Sequence, residues 1–332
     1  MGHRKDAPSP VESLAAETSE RATQRDQLPK RLQRYGQAKH LSTAMADYIR
    51  DFQPNHFKLA SAIHDCGSYL SFHDYYTIGE VRLAKASLCR KHMLCPLCAI
   101  RRGAKHVGQK KNQVANLLLD NPDLEIYMMT LTVKDGDSLI ERYNHLASSI
   151  KKFMKRRHLK RGYESEKILG SVWSTEVKRG KNSNQWHPHS HFVIVTDKNN
   201  PVSQKSLSDE WLEITRDSFI VDVRPIDHGS EESMIKGFCE VFKYAVKFSD
   251  QPVNDSWHCF ETLKNRRLLG SSGLLFGIQE PEKLTDDLYE DLPFIEYFYR
   301  YIPQKGYRES RSKMMEYKTP NHTNQPNKAV TR

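Results

Sequence analysis

The segment His187-Pro-His-Ser-His191 runs directly into Phe192-Val-Ile-Val195, and no other stretch constrains the fold as tightly. A run of β-branched and aromatic residues of this kind reads as a buried strand. Alternate side chains of a strand share a face, so His189 and His191 must project to the same side of a sheet. Two imidazoles held that way can grip one divalent ion, with a carboxylate as the natural third ligand. Glu176 is the candidate, on a strand expected over about residues 170–178. There Val172, Ser174 and Glu176 fall on one side and Trp173, Thr175 and Val177 on the other. His187 either replaces His189 as a ligand or flanks the site.

The neighbouring sequence alternates between strand and helix. Ile126 to Val133 predicts a strand, Gly136-Asp137 a turn, and Asp137 a cap for the helix that follows. In that helix Leu139, Tyr143, Leu146, Ile150 and Phe153 share one face. A helix around 204–215, a strand Phe219 to Val223 and a helix at about 231–248 continue the pattern. The expected class is α+β, an antiparallel sheet with helices on one face. The expected divisions are a polar, partly disordered N-terminal segment (1–54), a cysteine-rich module with a basic helix (55–119), the sheet-bearing body (120–275) and a C-terminal extension (276–332). The end of that extension, from about Lys305, shares the polar character of the first 40 or so residues and is expected to be mobile.

Cys66, Cys89, Cys95 and Cys98 cluster, and the two-residue spacer lets Cys95 and Cys98 wrap one Zn²⁺ with Cys89 and Cys66 completing a tetrahedral site. His64 or His92 could stand in for one thiolate. With 51 Lys and Arg against 41 Asp and Glu, the formal charge of +10 favours a polyanionic partner. A membrane is disfavoured, because no apolar run approaches the roughly 18 residues of a spanning helix. The N-terminus lacks the apolar core of a signal peptide, so a cytoplasmic, reducing location is expected. Lys151, Lys152, Lys155, Arg156 and Arg157 form one basic run, Arg101 and Arg102 begin a second, and Arg266 and Arg267 a third. Together they are candidates for contacting DNA phosphates.

Between Met234 and Phe248, helical geometry places Glu240, Tyr244 and Lys247 within roughly 60° of one another. Met234, Phe238, Val241, Ala245 and Phe248 make a separate apolar face. A tyrosine beside an acid and a lysine suits a nucleophile whose free pKa of about 10 demands help from a cation.

Taken in order, the cysteine cluster, Met129-Thr-Leu-Thr-Val133, His189-x-His191 and Tyr244-Ala-Val-Lys247 resemble the replication initiators of small rolling-circle plasmids. These form a branch of the HUH endonuclease superfamily, and the resemblance covers about residues 66–275. It implies a ferredoxin- or RRM-like nicking domain, Mg²⁺ or Mn²⁺ at His189 and His191, Tyr244 as the DNA-nicking nucleophile and Lys247 as its support. Glu240, one turn earlier, matches the branch in which a glutamate activates water for the terminating cut. Leu263-Lys-Asn-Arg-Arg-Leu268 and Gly273 also match that branch. The residue between the paired histidines is usually bulky and apolar in the superfamily and is Ser190 here. The implied partners are plasmid origin DNA, single-stranded or extruded at the nick, and the host helicase and polymerase, in the cytoplasm of a bacterial host. Relaxases and transposases of the superfamily share the histidine pair and tyrosine, and the cysteines and Glu240 argue against them. A non-catalytic zinc DNA-binding protein would explain the cysteines and charge but leave the histidine strand and Tyr244 without a purpose.

Overall fold

The computed structural model describes residues 24–227, 229, 231–242 and 251–315. The chain begins with α1 (Gln24–Phe52) and α2 (Phe57–Asp65), then the hairpin β1 (Tyr69–Tyr75) and β2 (Glu80–Ala86) and the long α3 (Pro96–Asp120). The body follows as β3 (Leu124–Thr132), α4 (Leu139–Arg156), β4 (Gly170–Arg179), β5 (Trp186–Asp197) and α5 (Gln204–Thr215). It continues with β6 (Val221–Pro225), α6 (Glu231–Phe242), α7 (Val253–Leu263) and β7 (Leu269–Gly273), and β8 (Phe294–Ile302) and β9 (Gly306–Met315) close the chain.

Two antiparallel sheets result, one in the order β6-β3-β5-β4-β7 and one in the order β2-β1-β8-β9. β5 is the middle strand of the first because it is apolar on both sides. Phe192 and Ile194 pack with Met129, Phe153 and Trp211 under α4 and α5. Val193 and Val195 pack with Ile126, Val172, Val107, Ile235 and Phe238 under α3 and α6. The fold is thus α+β and antiparallel as expected, but helices cover both faces rather than one. β3 and β5 offer apolar side chains in both directions, so each face needs its own cover.

Several boundaries differ from expectation for local reasons. Ser138, not Asp137, caps α4, its hydroxyl accepting from the Glu141 N–H at 3.4 Å. β6 begins at Val221, and Phe219 and Ile220 lie exposed before it. Gln24–Phe52 is a continuous helix where a charge-rich composition suggested a loose segment. Its Tyr35, Ala46 and Ile49 are fully buried. The segment after Lys305, expected to be mobile, supplies β9 as far as Met315. Because β8 pairs with β1, residues 294–315 complete the sheet of the cysteine-rich module.

A buried ion network ties these distant pieces together. Asp286 receives Arg31 Nη2 at 2.9 Å, the Leu83 N–H at 2.6 Å and a second guanidinium, that of Arg101. Both arginines also donate to the Tyr35 hydroxyl at 3.1 Å. Burial opposes the charge on Asp286, yet Arg101 and Arg31 hold its carboxyl well below the usual carboxylate range. Its folded pKa lies below its unfolded one, so the stability it supplies is complete above about pH 4 and fades as pH falls further. Asp286→Ala leaves two buried guanidinium groups uncompensated and should cost about 3–5 kcal/mol in urea unfolding at neutral pH. The deficit should shrink toward pH 3, and a loss below about 1 kcal/mol would show that the network is solvated.

Among the described residues, no helix is long and apolar enough to cross a membrane.

Candidate active site and metal centres

The sheet register brings the three proposed metal-binding side chains together. Glu176 on β4 pairs directly with His189 on β5, and His191 pairs with Ser174 one step away. Directly paired residues have Cβ atoms about 4.5–5.5 Å apart, and the pleat turns Glu176, His189 and His191 to the α3–α6 face. His189 Nε2 lies 3.5 Å and His191 Nε2 3.3 Å from the same oxygen, Glu176 Oε2. Ligand atoms about 2.1 Å from one ion are separated by roughly 3.0–3.4 Å at octahedral or tetrahedral angles, which these spacings approximate.

All three side chains are buried. Burial lowers the His189 pKa to about 4 despite the opposing pull of Glu176, so its imidazole is neutral and free to coordinate at physiological pH. Thr130 Oγ1 sits 3.1 Å from His191 Nδ1 and fixes the ring with Nε2 toward Glu176, and that Nε2 is buried without a hydrogen bond. A buried donor set of two imidazoles and a carboxylate, with a ligating nitrogen left unbonded, fits a divalent cation. His187 is not part of this group. Its Nδ1 pairs with Asp135, whose pKa falls because hydrogen bonds from Ser183 and His187 outweigh its burial. Ser190 faces the opposite side, where its hydroxyl lies 2.8 Å from Thr175 Oγ1, a polar pair in place of a bulky apolar residue.

The last described turn of α6 lies beside this group. Ser174, two residues before Glu176 on the same face of β4, donates its hydroxyl to Val241 O. Beyond the next stretch of chain, Gln251 Nε2 donates to Val177 O at 2.8 Å. The residues on either side of 243–250 are therefore fastened to β4 around Glu176. Tyr244 and Lys247 lie outside the described residues. Glu240 is half-buried near the end of α6, whose Met234, Phe238 and Val241 are buried as the helical pattern expected.

The four clustered cysteines converge as well. Cys66 Sγ lies 3.5 Å from both Cys95 and Cys98 Sγ, and Cys89 Sγ lies 3.7 Å from Cys98 Sγ. Tetrahedral Zn–S bonds of about 2.3 Å place sulfurs roughly 3.8 Å apart, so the cluster is shaped for one such ion. The N–H groups of Cys89 and Arg90 point at Cys66 and Cys98 Sγ at 3.4 and 3.3 Å, and Arg90 takes φ 60° in the turn. His64 pairs with Asp65 on the surface and His92 lines a cavity, so neither joins the sulfurs.

The candidate DNA-contacting cations divide sharply. Arg101 is buried in the Asp286 network, and Arg157 is buried with Nε donating to Ile168 O at 2.8 Å, so both serve the interior. Arg102 is paired with Glu280 and Arg156 with Glu213. Lys151, Lys152 and Lys155 are exposed on α4, across the sheet from the Glu176 group. A cavity of about 240 Å³ opens beside Ser174 and Phe242, lined in part by Arg102, Arg266 and Arg267. The Arg266 guanidinium lies over Tyr143 and donates to Asn144 Oδ1 at 3.1 Å, and that of Arg267 lies over Trp173, so both reach from the cavity rim toward the α4 side.

A family profile described as replication protein matches residues 80–317. "Protein rep" of Lactiplantibacillus plantarum is 28% identical over 253 residues, covering 69% of this chain and 77% of its own. "Protein rep" of Streptococcus pneumoniae is 28% identical over 276 residues, covering 77% and 82%. "Protein rep" of Staphylococcus aureus is 30% identical over 207 residues, covering 58% and 84%. No solved structure matches the chain. The profile spans most of the length, including both clusters apart from Cys66, and bears out the resemblance to rolling-circle plasmid initiators: the chain belongs to the replication-protein (Rep) family.

Proposed function

We propose that this replication protein initiates rolling-circle replication by nicking one strand of its plasmid origin, with Tyr244 as nucleophile. The observation that supports this most is the buried convergence of Glu176, His189 and His191 beside the end of α6, from which the chain runs to Tyr244. A Mg²⁺ or Mn²⁺ ion held by these three residues would neutralise charge on the non-bridging oxygens of a scissile phosphate. Tyr244 attacks the phosphorus, its oxygen forms the new P–O bond, and the bond to the 3′ oxygen breaks. The products are a 5′-phosphotyrosyl strand and a free 3′-hydroxyl that primes synthesis. Lys247, three residues on, stabilises the phenolate. The phosphodiester energy is kept in the link, so rejoining needs no ATP. After one round of synthesis, Glu240 acts as general base for a water that makes the terminating cut. Arg266 and Arg267, exposed at the cavity rim, are the candidates for holding the backbone in register.

The test uses the purified chain, Mn²⁺ and labelled single-stranded oligonucleotides tiling the origin. A covalent protein–DNA band that requires metal is expected. In His191→Ala the rate should fall roughly 10³-fold, equivalent to about 4 kcal/mol of lost charge stabilisation. Tight binding with no adduct on any oligonucleotide would replace the nickase with a zinc-containing DNA-binding protein.

A further inference from the structure

The sheet built from the cysteine-rich module and the C-terminal strands has one covered face and one that is open along Tyr69, Phe298 and β9, its far end being closed where Tyr289 packs on the buried Tyr75. Leu70, Phe72, Tyr299 and Tyr307 turn inward against Tyr35 and Leu97. The opposite face carries Tyr69 and His73 on β1 and Phe294 and Phe298 on β8, the two central strands. Tyr69 and Phe298 lie parallel, 5.4 Å apart at 12°, and His73 and Phe294 lie 3.8 Å apart at 11°. Around these rings stand Lys85 on β2, Arg300 on β8, and Arg308, Arg311 and Lys313 on β9, all exposed.

Among the described residues none of these five cations is in an ion pair. Arg300 and Arg308 even face each other as a directly paired couple. Like charges so placed destabilise a sheet, so the arrangement wants a polyanion across it. Among the described residues the one acid on this face outside an ion pair is Glu296, which accepts from the Ser71 hydroxyl at 2.8 Å. Arg82 at the sheet's end is already neutralised by Glu80.

We infer that this open face binds single-stranded DNA, as a second DNA site separate from the nicking centre. Rings on the central strands with cations on the flanking strands are what a single strand needs: bases stack on flat groups while phosphates meet the charges. The Arg311 and Arg300 guanidinium groups, 4.8 and 6.0 Å from the Phe298 ring centre, extend the stacking surface. Four strands about 4.8 Å apart span roughly 14 Å, room for two or three stacked bases. A duplex hides its bases and would leave the rings unused. Contacts of this type are tolerant of sequence, so the site would hold whichever strand is exposed once the origin opens.

The inference stands apart from the nicking chemistry, so its test uses labelled oligo-dT, which carries no origin sequence to cut. Affinity is followed by fluorescence anisotropy across a salt series, with a random duplex in parallel. Two variants of the full-length chain are compared with wild type: Arg308→Gln/Arg311→Gln/Lys313→Gln, all exposed, and Phe298→Leu, which keeps an apolar group. The triple variant should lose about ten- to a hundred-fold in single-strand affinity at low salt. Its log–log salt slope should flatten by about 2, at roughly 0.7 per phosphate contact. Phe298→Leu should lose roughly ten-fold with an unchanged slope. Unchanged single-strand affinity in both, or a loss confined to the duplex, overturns the inference. Matching melting curves for all three proteins exclude a folding explanation.

Discussion

Tyr244→Phe should abolish the covalent protein–DNA adduct, lowering its formation by roughly 10⁴-fold or more while leaving origin affinity within about two-fold. The substitution removes one oxygen and keeps the ring and the net charge of the chain. Glu240→Ala makes the informative contrast. If its carboxylate serves only as base for water in the terminating cut, the first adduct should form at near wild-type rate. The second cleavage should then slow by about 10²–10⁴-fold, and adduct should accumulate. A gel time course with an oligonucleotide carrying one site, then two, separates the steps. An adduct that persists in Tyr244→Phe would move the nucleophile to another residue. Loss of both steps in Glu240→Ala would place that side chain in the first attack or in the support of α6.

Much of this centre was legible in the sequence because strand periodicity is rigid. His189 and His191 had to share a face, and Glu176 fell on the matching parity of its own strand. What parity could not supply was the register that sets Glu176 opposite His189, because register depends on the turn between the strands. That turn closes with Gly180 and Gln185 bonded backbone to backbone at 2.8 Å and Asn184 at φ 52°, details with no signature beyond a polar loop. The second layer of helices was missed for a related reason. β3 alternates between two kinds of apolar residue, Ile126 and Met128 against Tyr127 and Met129, and pattern alone does not say which face is bare.

Charge runs were the least legible feature. Arg101 and Arg102 are neighbours in sequence, but one is buried against Asp286 and the other is paired with Glu280, both acids more than 170 positions away. Only the fold reveals those partners. The cations of β9 had a readable signal: Arg311 and Lys313 step by two, as do Phe294, Glu296, Phe298 and Arg300 on β8. A polar composition hid it. The same composition hid α1, whose buried face is surrounded by Arg31, Arg34 and Lys39, themselves largely covered. Long cationic side chains can bury their stems, so their abundance does not mark a loose segment.

We propose that zinc fills the cysteine cluster, and its removal should then be the most damaging single change to the fold. Four sulfurs lie within 4.8 Å of one another, three of them buried, and the hydrogen bonds that meet them, from the Cys89 and Arg90 N–H groups and beside Ser42, are weak ones to sulfur. Structural zinc contributes on the order of 10 kcal/mol or more to small domains that depend on it. Cys95 precedes α3 and Cys98 lies in its first turn, so the ion would anchor the helix at its start. That helix carries Val107 and Val114 into the core with Ile235 and Phe238 of α6, and its His106 ring stacks 5.3 Å from Phe242. A loosened α3 therefore loosens the helix that leads to Tyr244. Cys98→Ser, or a strong chelator on the wild type, should release about one zinc per chain, lower the melting temperature by more than 10 °C, at roughly 2–4 °C per kcal/mol, and abolish adduct formation even with Mn²⁺ in excess. Cys259→Ser, buried but outside the four-sulfur group, should keep its full zinc content. A wild-type protein that binds no zinc, or one whose melting ignores the chelator, would make the cluster a set of reduced thiols. The coupling from α3 to the proposed nicking centre would then rest on apolar packing alone.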